Sequence, residues 1–461
     1  MGRAKKIIVV GSSHGGYEAV QQVLQDAPDA EIQWYEKGQF LSFLSYGMQR
    51  YLEGTVKEID SARYAAEASG RDKNLRVFLQ QEITAVDAAA HTVHVIDHAA
   101  PDGAARGGRE ESYDKLIISP GADPIRLPVE GGGLANIHVM RGRDWAIKLK
   151  EATIDPDIGN VVIIGAGYIG IEAAEVFVKA GKHVTIIDLQ PRMLAMYLDA
   201  EFTDILTGTL AQHGVVLATG QRVLRYEGVD GKVARVVTDR CAYPADLVIE
   251  AAGVRANTDW LDGVVERDKR GLIAVDDHQA TSATDIYAVG DATTVRFAPT
   301  GGRVHLALAT NARRQGRIAA KNALGEDVSF TPVSGSSGLP VFDYKFASTG
   351  IKECTASEYG VSAKFVFVED LYRPSFVQAD AGNAPVYFKL AYAPENGRVL
   401  GAQIMSIQNT TANINAIALA IQLHATVQDL AYADFFFQPG LNSPWNIINV
   451  AAQQAAREIG E

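Results

Sequence analysis

Two glycine-rich turns constrain the fold of this 461-residue chain more than any other feature. The first turn, residues 11–16, follows the β-branched run 6–10, and the second, residues 165–170, follows the run 161–164. Each turn opens a helical pattern, and each helix leads to another apolar strand that ends in an acidic residue. A strand, glycine turn, helix and second strand form the βαβ unit that binds dinucleotides. The sequence therefore predicts an α/β fold with two Rossmann-like dinucleotide-binding domains.

The second turn has the complete G-x-G-x-x-G pattern, with Gly165, Gly167 and Gly170 in place. The first glycine permits a tight turn, the second lets the backbone approach a pyrophosphate, and the third lets the helix pack on the strand. Asp188 follows 18 residues after Gly170, at the end of the next strand. A carboxylate there accepts hydrogen bonds from an adenosine ribose and repels a 2′-phosphate. We therefore expect this unit to bind NADH in preference to NADPH.

The first turn departs from the pattern because Ser13 replaces the middle glycine. Serine is small, so the backbone can still approach a phosphate closely. Glu36 lies 20 residues after Gly16, at the position expected for a ribose ligand. Asp291 follows a short strand much later in the chain, and in flavoproteins with two nucleotide sites such an aspartate holds the ribityl chain of FAD. The set predicts an FAD site. Asp291 could instead cap the next helix, but that alternative does not explain the whole set.

Composition narrows the classes of function. Apolar residues make up 47% of the chain and charged residues 21%, as in ordinary globular proteins. The net charge of −12 and the absence of a long basic run disfavour nucleic-acid binding. The longest near-continuous apolar run, 161–171, is far shorter than the roughly 20 residues that span a bilayer. With no signal peptide evident either, we expect a cytoplasmic protein that has no membrane span.

The chain has two cysteines, Cys241 and Cys354, which are far apart and belong to no CxxC pair. This pattern excludes a secreted protein stapled by disulfides and disfavours a cysteine-ligated metal. The histidines show no ligand spacing either, so no metal site is expected.

The rest of the chain predicts a third domain and the limits of the other two. Residues 76–98 alternate in polarity and predict hairpin strands, whereas 101–109 predict a surface loop. The Gly/Ser stretch 334–338 predicts a boundary, after which antiparallel strands and a helix over 411–423 indicate an α+β domain. The predicted domains are an FAD-binding domain over 1–128 and 255–328, an inserted NAD-binding domain over 129–254, and a C-terminal domain over 329–461.

Ten longer segments carry a resemblance to a known family. They are GSSHGGYEA (11–19), WYEKGQFLSFLSYGMQRYLEG (34–54), SYDKLIISPG (112–121), MRGRDWAIKLK (140–150), VVIIGAGYIGIEAAE (161–175), YAVGDAT (287–293), LALATNARRQGR (306–317), VFDYKFASTGI (341–351), TANINAIALAIQ (411–422) and YADFFFQP (432–439). Over nearly its whole length the chain resembles the bacterial FAD-dependent NADH peroxidases and NADH oxidases of the pyridine nucleotide-disulfide oxidoreductase superfamily. The NADH peroxidase branch is the most similar.

The resemblance implies the residues of both nucleotide sites. The residues that match the family's FAD site are Gly11, Ser12, His14, Gly16, Glu36, Lys37, Ser119, Gly121, Arg143 and Asp291. Those assigned to the NADH site are Gly165, Gly167, Tyr168, Ile169, Glu172, Asp188 and Gly253. Tyr168 would cover the nicotinamide side of the flavin and move when NADH enters. The third domain would be a dimerisation domain, and the cluster 435–437 resembles the partner subunit's lid over the flavin, which implies a homodimer.

The resemblance breaks at the residue on which the family's chemistry depends. The family motif SFLSCGM holds a redox-active cysteine against the flavin, whereas residues 42–48 read SFLSYGM and place Tyr46 there. A cysteine cycles between thiolate and sulfenic acid, but a phenol with a pKa of about 10 has no such chemistry. His14 and Arg313 match the polar pair that faces the peroxide pocket. Tyr46 is either an aromatic that fills an abandoned pocket or a hydrogen-bonding, proton-donating phenol.

The expected function is FAD-dependent oxidation of NADH, with two-electron reduction of molecular oxygen to hydrogen peroxide. Two alternatives stay open. One is an NADH dehydrogenase that passes electrons to a quinone or another organic acceptor. The other is a redox sensor that binds flavin and NADH with little turnover.

Overall fold

The structure is a computed structural model that describes residues 5–61, 74–98 and 106–460. Across these ranges, no helix combines the length and the apolar character that crossing a bilayer requires.

The first part of the chain forms most of a parallel sheet and a separate antiparallel one. Its elements are β1 (Lys6–Val10), α1 (His14–Asp26), β2 (Glu31–Glu36), α2 (Met48–Leu52), β3 (Leu75–Leu79), β4 (Gln81–Asp87), β5 (Thr92–Asp97), β6 (Arg106–Ser112), β7 (Lys115–Ile118) and β8 (Ala122–Pro124). Strands β4, β5 and β6 pair antiparallel in that order.

The second part forms the other parallel sheet. Its elements are β9 (Ile137–Val139), α3 (Arg143–Ile154), β10 (Asn160–Ile164), α4 (Tyr168–Lys179), β11 (His183–Asp188), α5 (Ala200–Gln212), β12 (Val216–Thr219), β13 (Val223–Val229), β14 (Lys232–Thr238), β15 (Ala242–Pro244) and β16 (Leu247–Glu250). The sheet order is β12-β11-β10-β16-β9, with every pair parallel, while β13, β14 and β15 form a small antiparallel sheet.

The chain then returns to the first sheet. The returning elements are β17 (Val254–Ala256), β18 (Ile286–Ala288), β19 (Val295–Arg296), β20 (Arg303–Val304) and α6 (Ala309–Leu324). Strand β18 pairs with β7 and completes the parallel order β18-β7-β1-β2-β3. Strand β17 pairs with β8, so the segment that leads from the first unit to the second lies beside the segment that returns. This pairing is next to the predicted domain boundaries at 128 and 255. Those domain limits remain predictions.

The C-terminal part is an antiparallel sheet covered by helices. Its elements are β21 (Ser337–Val341), β22 (Tyr344–Gly350), α7 (Glu353–Ala356), β23 (Lys364–Leu371), β24 (Pro385–Tyr392), β25 (Val399–Ser406), α8 (Ile414–Gln422), α9 (Val427–Ala431) and α10 (Ile447–Gly460). The strand order is β21-β22-β25-β24-β23. Phe388 and Ile404 from its central strands and Ile448 from α10 are fully buried in one apolar cluster.

The predicted α/β fold with two parallel sheets and a third α+β unit is confirmed. The central strands are β-branched because parallel strands under helices are buried on both faces. Ile7, Ile8 and Val9 of β1 are fully buried, as are Val162 and Ile163 of β10.

Two local predictions were wrong. The first part of the segment 76–98 is not a hairpin strand: β3 pairs in parallel with β2 at the edge of the first sheet, and only β4 and β5 form the hairpin. Alternating polarity marks a half-exposed strand but does not identify its partner. The predicted loop 101–109 ends earlier than expected, because β6 begins at Arg106. None of residues 107–112 of β6 is buried, so a polar sequence can form this strand. Residues 101–105 lie outside the described ranges.

Candidate nucleotide sites and active site

The first glycine turn is built by close backbone approaches. Gly11 has a φ of +88°, and a Cβ there would lie 2.1 Å from the carbonyl oxygen of Ser119 at the end of β7. A Cβ on Gly16 would lie 1.9 Å from the Gly11 carbonyl oxygen, which also accepts a 2.8 Å hydrogen bond from Trp34 Nε1. The turn therefore presses the start of α1 against β1, and the backbone N–H groups at that helix end are positioned for a phosphate.

The second turn repeats this geometry and explains why Ser13 is tolerated in the first. Gly167 and Ser13 both precede their helices, with φ values of −80° and −76° that any residue can adopt. A Cβ on Gly167 would meet nothing within 4 Å. The middle position of this turn thus has room for a small side chain, and Ser13 does not distort it.

Each turn is tied to the acidic residue at the end of its second strand. Glu36 Oε2 accepts hydrogen bonds from Ser12 N at 3.1 Å and Ser12 Oγ at 2.7 Å, while Oε1 accepts one from Gly38 N at 2.7 Å. Asp188 accepts in the same way, from Ala166 N at 2.5 Å and from Gln190 N at 2.7 Å. Both carboxylates are held in place and retain lone pairs that can accept ribose hydroxyls.

Asp291 lies close enough to His14 to affect its pKa, and it pairs with an arginine that was not among the residues predicted from the sequence. Arg141 Nη2 donates to Asp291 Oδ2 at 3.2 Å, and Arg141 also lies next to Gly121. Ser119 lies between the first glycine turn and Gly290, since its Oγ would lie 2.8 Å from a Cβ on Gly15 and 3.6 Å from a Cβ on Gly290. The segment MRGRDW contains both Arg141 and Arg143. Its sequence did not show which of the two arginines contacts Asp291.

Arg143 and Lys37, two predicted FAD ligands, are engaged in ion pairs. Arg143 Nε donates to Asp60 Oδ1 at 2.7 Å, and its guanidinium carbon lies 4.1 Å from the centroid of the Phe40 ring. The half-exposed Lys37 ammonium is 4.0 Å from Glu82. Their role as FAD ligands remains a prediction.

Tyr46 packs on His14. The two rings are nearly parallel, with an interplanar angle of 15° and centroids 5.2 Å apart, and 59% of Tyr46 is exposed. Burial is the main cause that lowers the pKa of His14. The charges of Arg313 and Arg141 lower that pKa further, whereas Asp291 raises it. His14 is therefore neutral at pH 7, and Tyr46 is the solvent-facing member of the stack.

The short turn that carries Tyr46 is anchored to the first glycine turn by Ser42. Ser42 N donates to Ser12 Oγ at 2.9 Å, and Ser42 Oγ donates to the Ser12 carbonyl oxygen at 2.7 Å. Ser42 is fully buried and has a φ of +57°, an unusual conformation for serine that these bonds help to hold. The position of Tyr46 relative to the turn is thus determined by the FAD-type unit itself.

Arg313 lies on α6, where it forms part of the contact between α6 and α1. Its Nε donates to Glu18 Oε1 at 2.6 Å, and Arg317 Nε donates to Glu18 Oε2 at 2.7 Å. The Glu18 side chain is only 2% exposed, so both arginines neutralise a buried carboxylate. Arg313 also influences the pKa of His14, and its role in a peroxide pocket remains a prediction.

The second unit presents three predicted NADH residues on the first turns of α4. Ile169 is 43% exposed, while the Tyr168 hydroxyl is 2.8 Å from Ser337 Oγ of the C-terminal unit. Burial raises the pKa of Glu172 to about 7. Arg50 opposes this shift, whereas Glu175 adds to it. The carboxyl of Glu172 can therefore exist in both protonation states near neutral pH.

The loop between β16 and β17 carries Gly253, whose carbonyl oxygen accepts a 3.0 Å hydrogen bond from Ile125 N. This bond lies beside the paired strands β8 and β17 that connect the two nucleotide-binding units. Gly253 remains a predicted NADH contact.

Neither cysteine belongs to these turns. Cys354 lies on α7, where its backbone N donates to Asp199 Oδ1 at 3.0 Å and its Sγ lies 3.9 Å from the Leu198 carbonyl oxygen. Cys241 follows β14, with its Sγ 3.9 Å from Gln221 Oε1. Throughout the part of the chain that the structure describes, no three His, Cys, Asp or Glu residues are grouped to hold a metal.

The aromatic cluster 435–437 lies in an irregular segment between α9 and α10. Phe435 packs against the C-terminal core, whereas Phe436 is 70% exposed and Phe437 45% exposed. Phe435 therefore contributes to the C-terminal core, whereas the rings of Phe436 and Phe437 are exposed to solvent.

Comparison with known proteins supports the same assignment. Residues 5–316 match the family model described as pyridine nucleotide-disulphide oxidoreductase, and residues 337–446 match the dimerisation domain of that family. An NADH oxidase of Enterococcus faecalis is 36% identical over 455 residues, which cover 98% of this chain and 100% of that protein.

Two solved structures are similar over 99% of both chains, each with a TM-score of 0.93 and 34% identity. One is the water-forming NADH oxidase from Lactobacillus brevis bound to NADH, and the other is an engineered water-forming NADPH oxidase bound to NADPH. With two glycine-turn units, an antiparallel C-terminal unit and these matches, the chain belongs to the pyridine nucleotide-disulphide oxidoreductase family.

Proposed function

We propose that the chain is an FAD-dependent NADH oxidase that reduces molecular oxygen to hydrogen peroxide. Two duplicated sites, each a glycine turn tied to a strand-end carboxylate, support two dinucleotides in one chain. The relatives named NADH oxidase, which match over nearly the full chain, support the activity. FAD, when bound, supplies the capacity to accept two electrons as hydride and to pass them to oxygen.

The first site fits FAD by its shape and its hydrogen-bonding groups. A side chain on Gly11 or Gly16 would collide with backbone, so glycine at both positions lets α1 begin close against β1, where its N-terminal N–H groups would bind a pyrophosphate. Glu36 would accept the adenosine ribose hydroxyls. Asp291 would accept a ribityl hydroxyl, and the hydrogen bond from Arg141 would orient that carboxylate.

The second site would bind NADH through the N-terminus of α4 and Asp188. Ile169, which is exposed at the start of α4, would contact the nicotinamide half of NADH. Glu172 would hold a proton near neutral pH and so could donate a hydrogen bond to a carboxamide oxygen or, when ionised, accept one from its nitrogen.

The proposal that the product is hydrogen peroxide rests on Tyr46. Where the resembled family has a redox cysteine, this chain has a phenol stacked on a neutral His14. A phenol cannot become a sulfenic acid, so the chain lacks the group that would reduce peroxide to water. His14 and Arg313 would remain as polar groups beside the oxygen-reacting face.

The proposed enzyme is a homodimer. Residues 337–446 match a dimerisation domain, and Phe436 and Phe437 expose large apolar surfaces on that unit. In the proposed dimer these rings would cover the partner's flavin site.

The test measures product stoichiometry on protein whose FAD content has been established. Peroxide trapped by a coupled peroxidase assay should equal about one molecule per NADH oxidised, because flavin alone delivers two electrons. Water formation without trapped peroxide would contradict the proposal. Stopped-flow reoxidation by oxygen and by a quinone completes the test: faster reoxidation by quinone identifies a dehydrogenase, and slow reoxidation by both identifies a sensor.

A further inference from the structure

A buried carboxylate ends the strand β16. The Glu250 side chain is only 1% exposed. Its Oε1 accepts hydrogen bonds from Tyr226 OH at 2.8 Å and from Leu127 N at 3.1 Å, and its Oε2 lies 2.8 Å from Arg126 Nε. A carboxylate removed from water is costly unless a charge and hydrogen-bond donors surround it, and these three groups supply them. Glu250 is therefore a fixed point to which residues 126–127 are attached.

The attached residues belong to the crossing segment, residues 125–127, which follows β8 and leads from the first nucleotide-binding unit to the second. Arg126 Nη1 donates to the carbonyl oxygen of Ile137 in β9 at 3.2 Å. Ile125 N donates to the carbonyl oxygen of Gly253 at 3.0 Å. With the two contacts to Glu250, each residue of the crossing segment is bound to the second unit.

Glu250 lies at the point where the strand order of the second parallel sheet reverses. From β10 the sheet continues through β11 to β12 on one side, whereas β16 and β9 lie on the other side. Such sheets bind a dinucleotide across the carboxyl ends of their strands at this point, with one half on each side. The glycine turn after β10 and Asp188 after β11 would hold the adenosine half. The nicotinamide half would then lie over the loop 251–253, which follows β16.

The loop 251–253 is held from two sides. A Cβ on Gly165 would lie 2.4 Å from the Ala251 carbonyl oxygen, so the loop begins against the second glycine turn. At its other end, Gly253 is bound to the crossing segment through Ile125 N. The loop residues are half-buried or exposed, so a ligand can reach them. The place of this loop thus depends on where the crossing segment lies.

We propose that Glu250 is a positioning residue for the nicotinamide half of NADH: its carboxylate fixes the crossing segment, and the crossing segment fixes the loop 251–253. The inference rests on the proposed function, since it assumes that NADH binds across β10 and β16. It adds a contact through which the connection between the two nucleotide-binding units sets the geometry of hydride transfer. Misplacement by about 1 Å is enough to slow such a step by about 100-fold.

The test uses the FAD-loaded protein and two ligands that cannot reduce it. One is 1,4,5,6-tetrahydro-NAD, which carries a nicotinamide-like ring, and the other is ADP-ribose, which lacks the ring. E250Q keeps an acceptor for Tyr226 and Leu127 but removes the charge that faces Arg126. In titration calorimetry it should weaken the binding of tetrahydro-NAD about 3- to 10-fold, because part of a charged contact is transmitted to the ligand. The affinity for ADP-ribose should not change, because the glycine turn and Asp188 hold that half.

Anaerobic reduction of the flavin by NADH in a stopped-flow instrument gives a second measurement. The limiting rate of reduction in E250Q should fall by a larger factor than the affinity for tetrahydro-NAD does, because hydride transfer depends more steeply on geometry than binding does. A purely structural role would instead lower FAD content or weaken both ligands alike, so FAD content is measured in every variant.

Matched variants separate positioning from general damage. R126M removes the same ion pair from its half-exposed side and tests it if E250Q does not fold. The double variant should lose no more than the larger single loss, because both substitutions break one contact. R126K keeps the positive charge and should restore most of the affinity lost in R126M. Glu227 and Arg225 form another ion pair on β13, at 2.6 Å, so E227Q should change neither affinity.

The outcomes are distinct. A loss confined to tetrahydro-NAD in E250Q and R126M, with E227Q unchanged, supports the proposal. Equal losses for both ligands, unchanged affinities or losses that add in the double variant overturn it, as does a parent that binds the two ligands equally tightly. A parent that carries FAD but binds neither ligand contradicts the proposed function itself, whereas a parent and an E250Q variant that bind both ligands alike contradict only the role of Glu250.

Discussion

Removal of the Asp188 carboxylate should shift the nucleotide preference from NADH toward NADPH. The carboxylate accepts hydrogen bonds from Ala166 N at 2.5 Å and Gln190 N at 2.7 Å, and it is partly exposed at the end of β11. In D188A these two backbone N–H groups lose their acceptor. A 2′-phosphate can then use them, while the ribose of NADH loses a charged acceptor.

The size of the shift follows from two contributions. Hydrogen bonds from ribose hydroxyls to a carboxylate contribute about 1.5–3 kcal/mol to NADH binding. Repulsion between the carboxylate and a phosphate charge about 4 Å away costs about 1 kcal/mol in water and about 4 kcal/mol near a protein surface. The lower limits sum to about 2.5 kcal/mol, so the ratio of kcat/KM for NADPH to that for NADH should rise at least roughly 50-fold.

The assay is steady-state oxidation of both nucleotides by FAD-replete parent and variant. D157A is the control, because Asp157 is an exposed acid in the same part of the chain and its loss removes one charge away from the turn. The ratio should not change in D157A. An unchanged ratio in D188A, or equal losses for the two nucleotides, would refute the assignment of Asp188 to the ribose.

Three further predictions concern single side chains. Y46C should raise NADH-dependent peroxide reduction well above the parent, because it restores a thiol beside a helix N-terminus that favours thiolate. E172Q should be more stable than the parent above pH 8, by up to about 3 kcal/mol. Folding raises the pKa of Glu172 from 4.5 to about 7, so the parent loses stability as pH rises through that window, as urea unfolding from pH 5 to 8.5 can show. E18Q should lower the free energy of unfolding by about 2–4 kcal/mol, since Arg313 and Arg317 lose a buried carboxylate.

Each of these predictions has a matched control. Y46S opens the same space without a thiol, so an equal gain in peroxide reduction by Y46S would rule out restored thiol chemistry. E151Q changes an exposed glutamate and should not alter the pH dependence of unfolding. E326Q disrupts an exposed pair with Lys321 and should cost less than about 1 kcal/mol. A loss in E18Q no larger than that in E326Q would contradict the importance of the buried carboxylate.

Several features of the sites could be predicted from sequence because their causes are local. A glycine turn after a β-branched strand depends on backbone conformation within six residues, and the acids Glu36 and Asp188 end the next strand in each unit. The spacing predicted ribose acceptors, a role that stays a prediction, whereas the bonds from each acid to its own turn were visible only in the structure. The substitution at residue 46 was equally visible, because the flanking motif is intact.

Other features depended on contacts between distant segments and were not predictable. The resemblance assigned Arg143 to the FAD site, and that role stays a prediction. Only the structure showed that Arg141 donates to Asp291 while Arg143 donates to Asp60. Arg313 pairs with Glu18, a carboxylate 295 residues away that is buried only because α1 and α6 pack closely.

By itself the sequence determined that this chain forms two dinucleotide-type βαβ units and carries a phenol where a thiol is expected. The tertiary structure decided what surrounds those groups. It stacked Tyr46 on His14, and it brought Ser337 of β21 to within 2.8 Å of Tyr168, 169 residues away. The sequence pattern of a turn reflects the backbone conformation of a few consecutive residues, whereas a contact between units depends on how segments far apart in the chain pack together, which no short segment encodes.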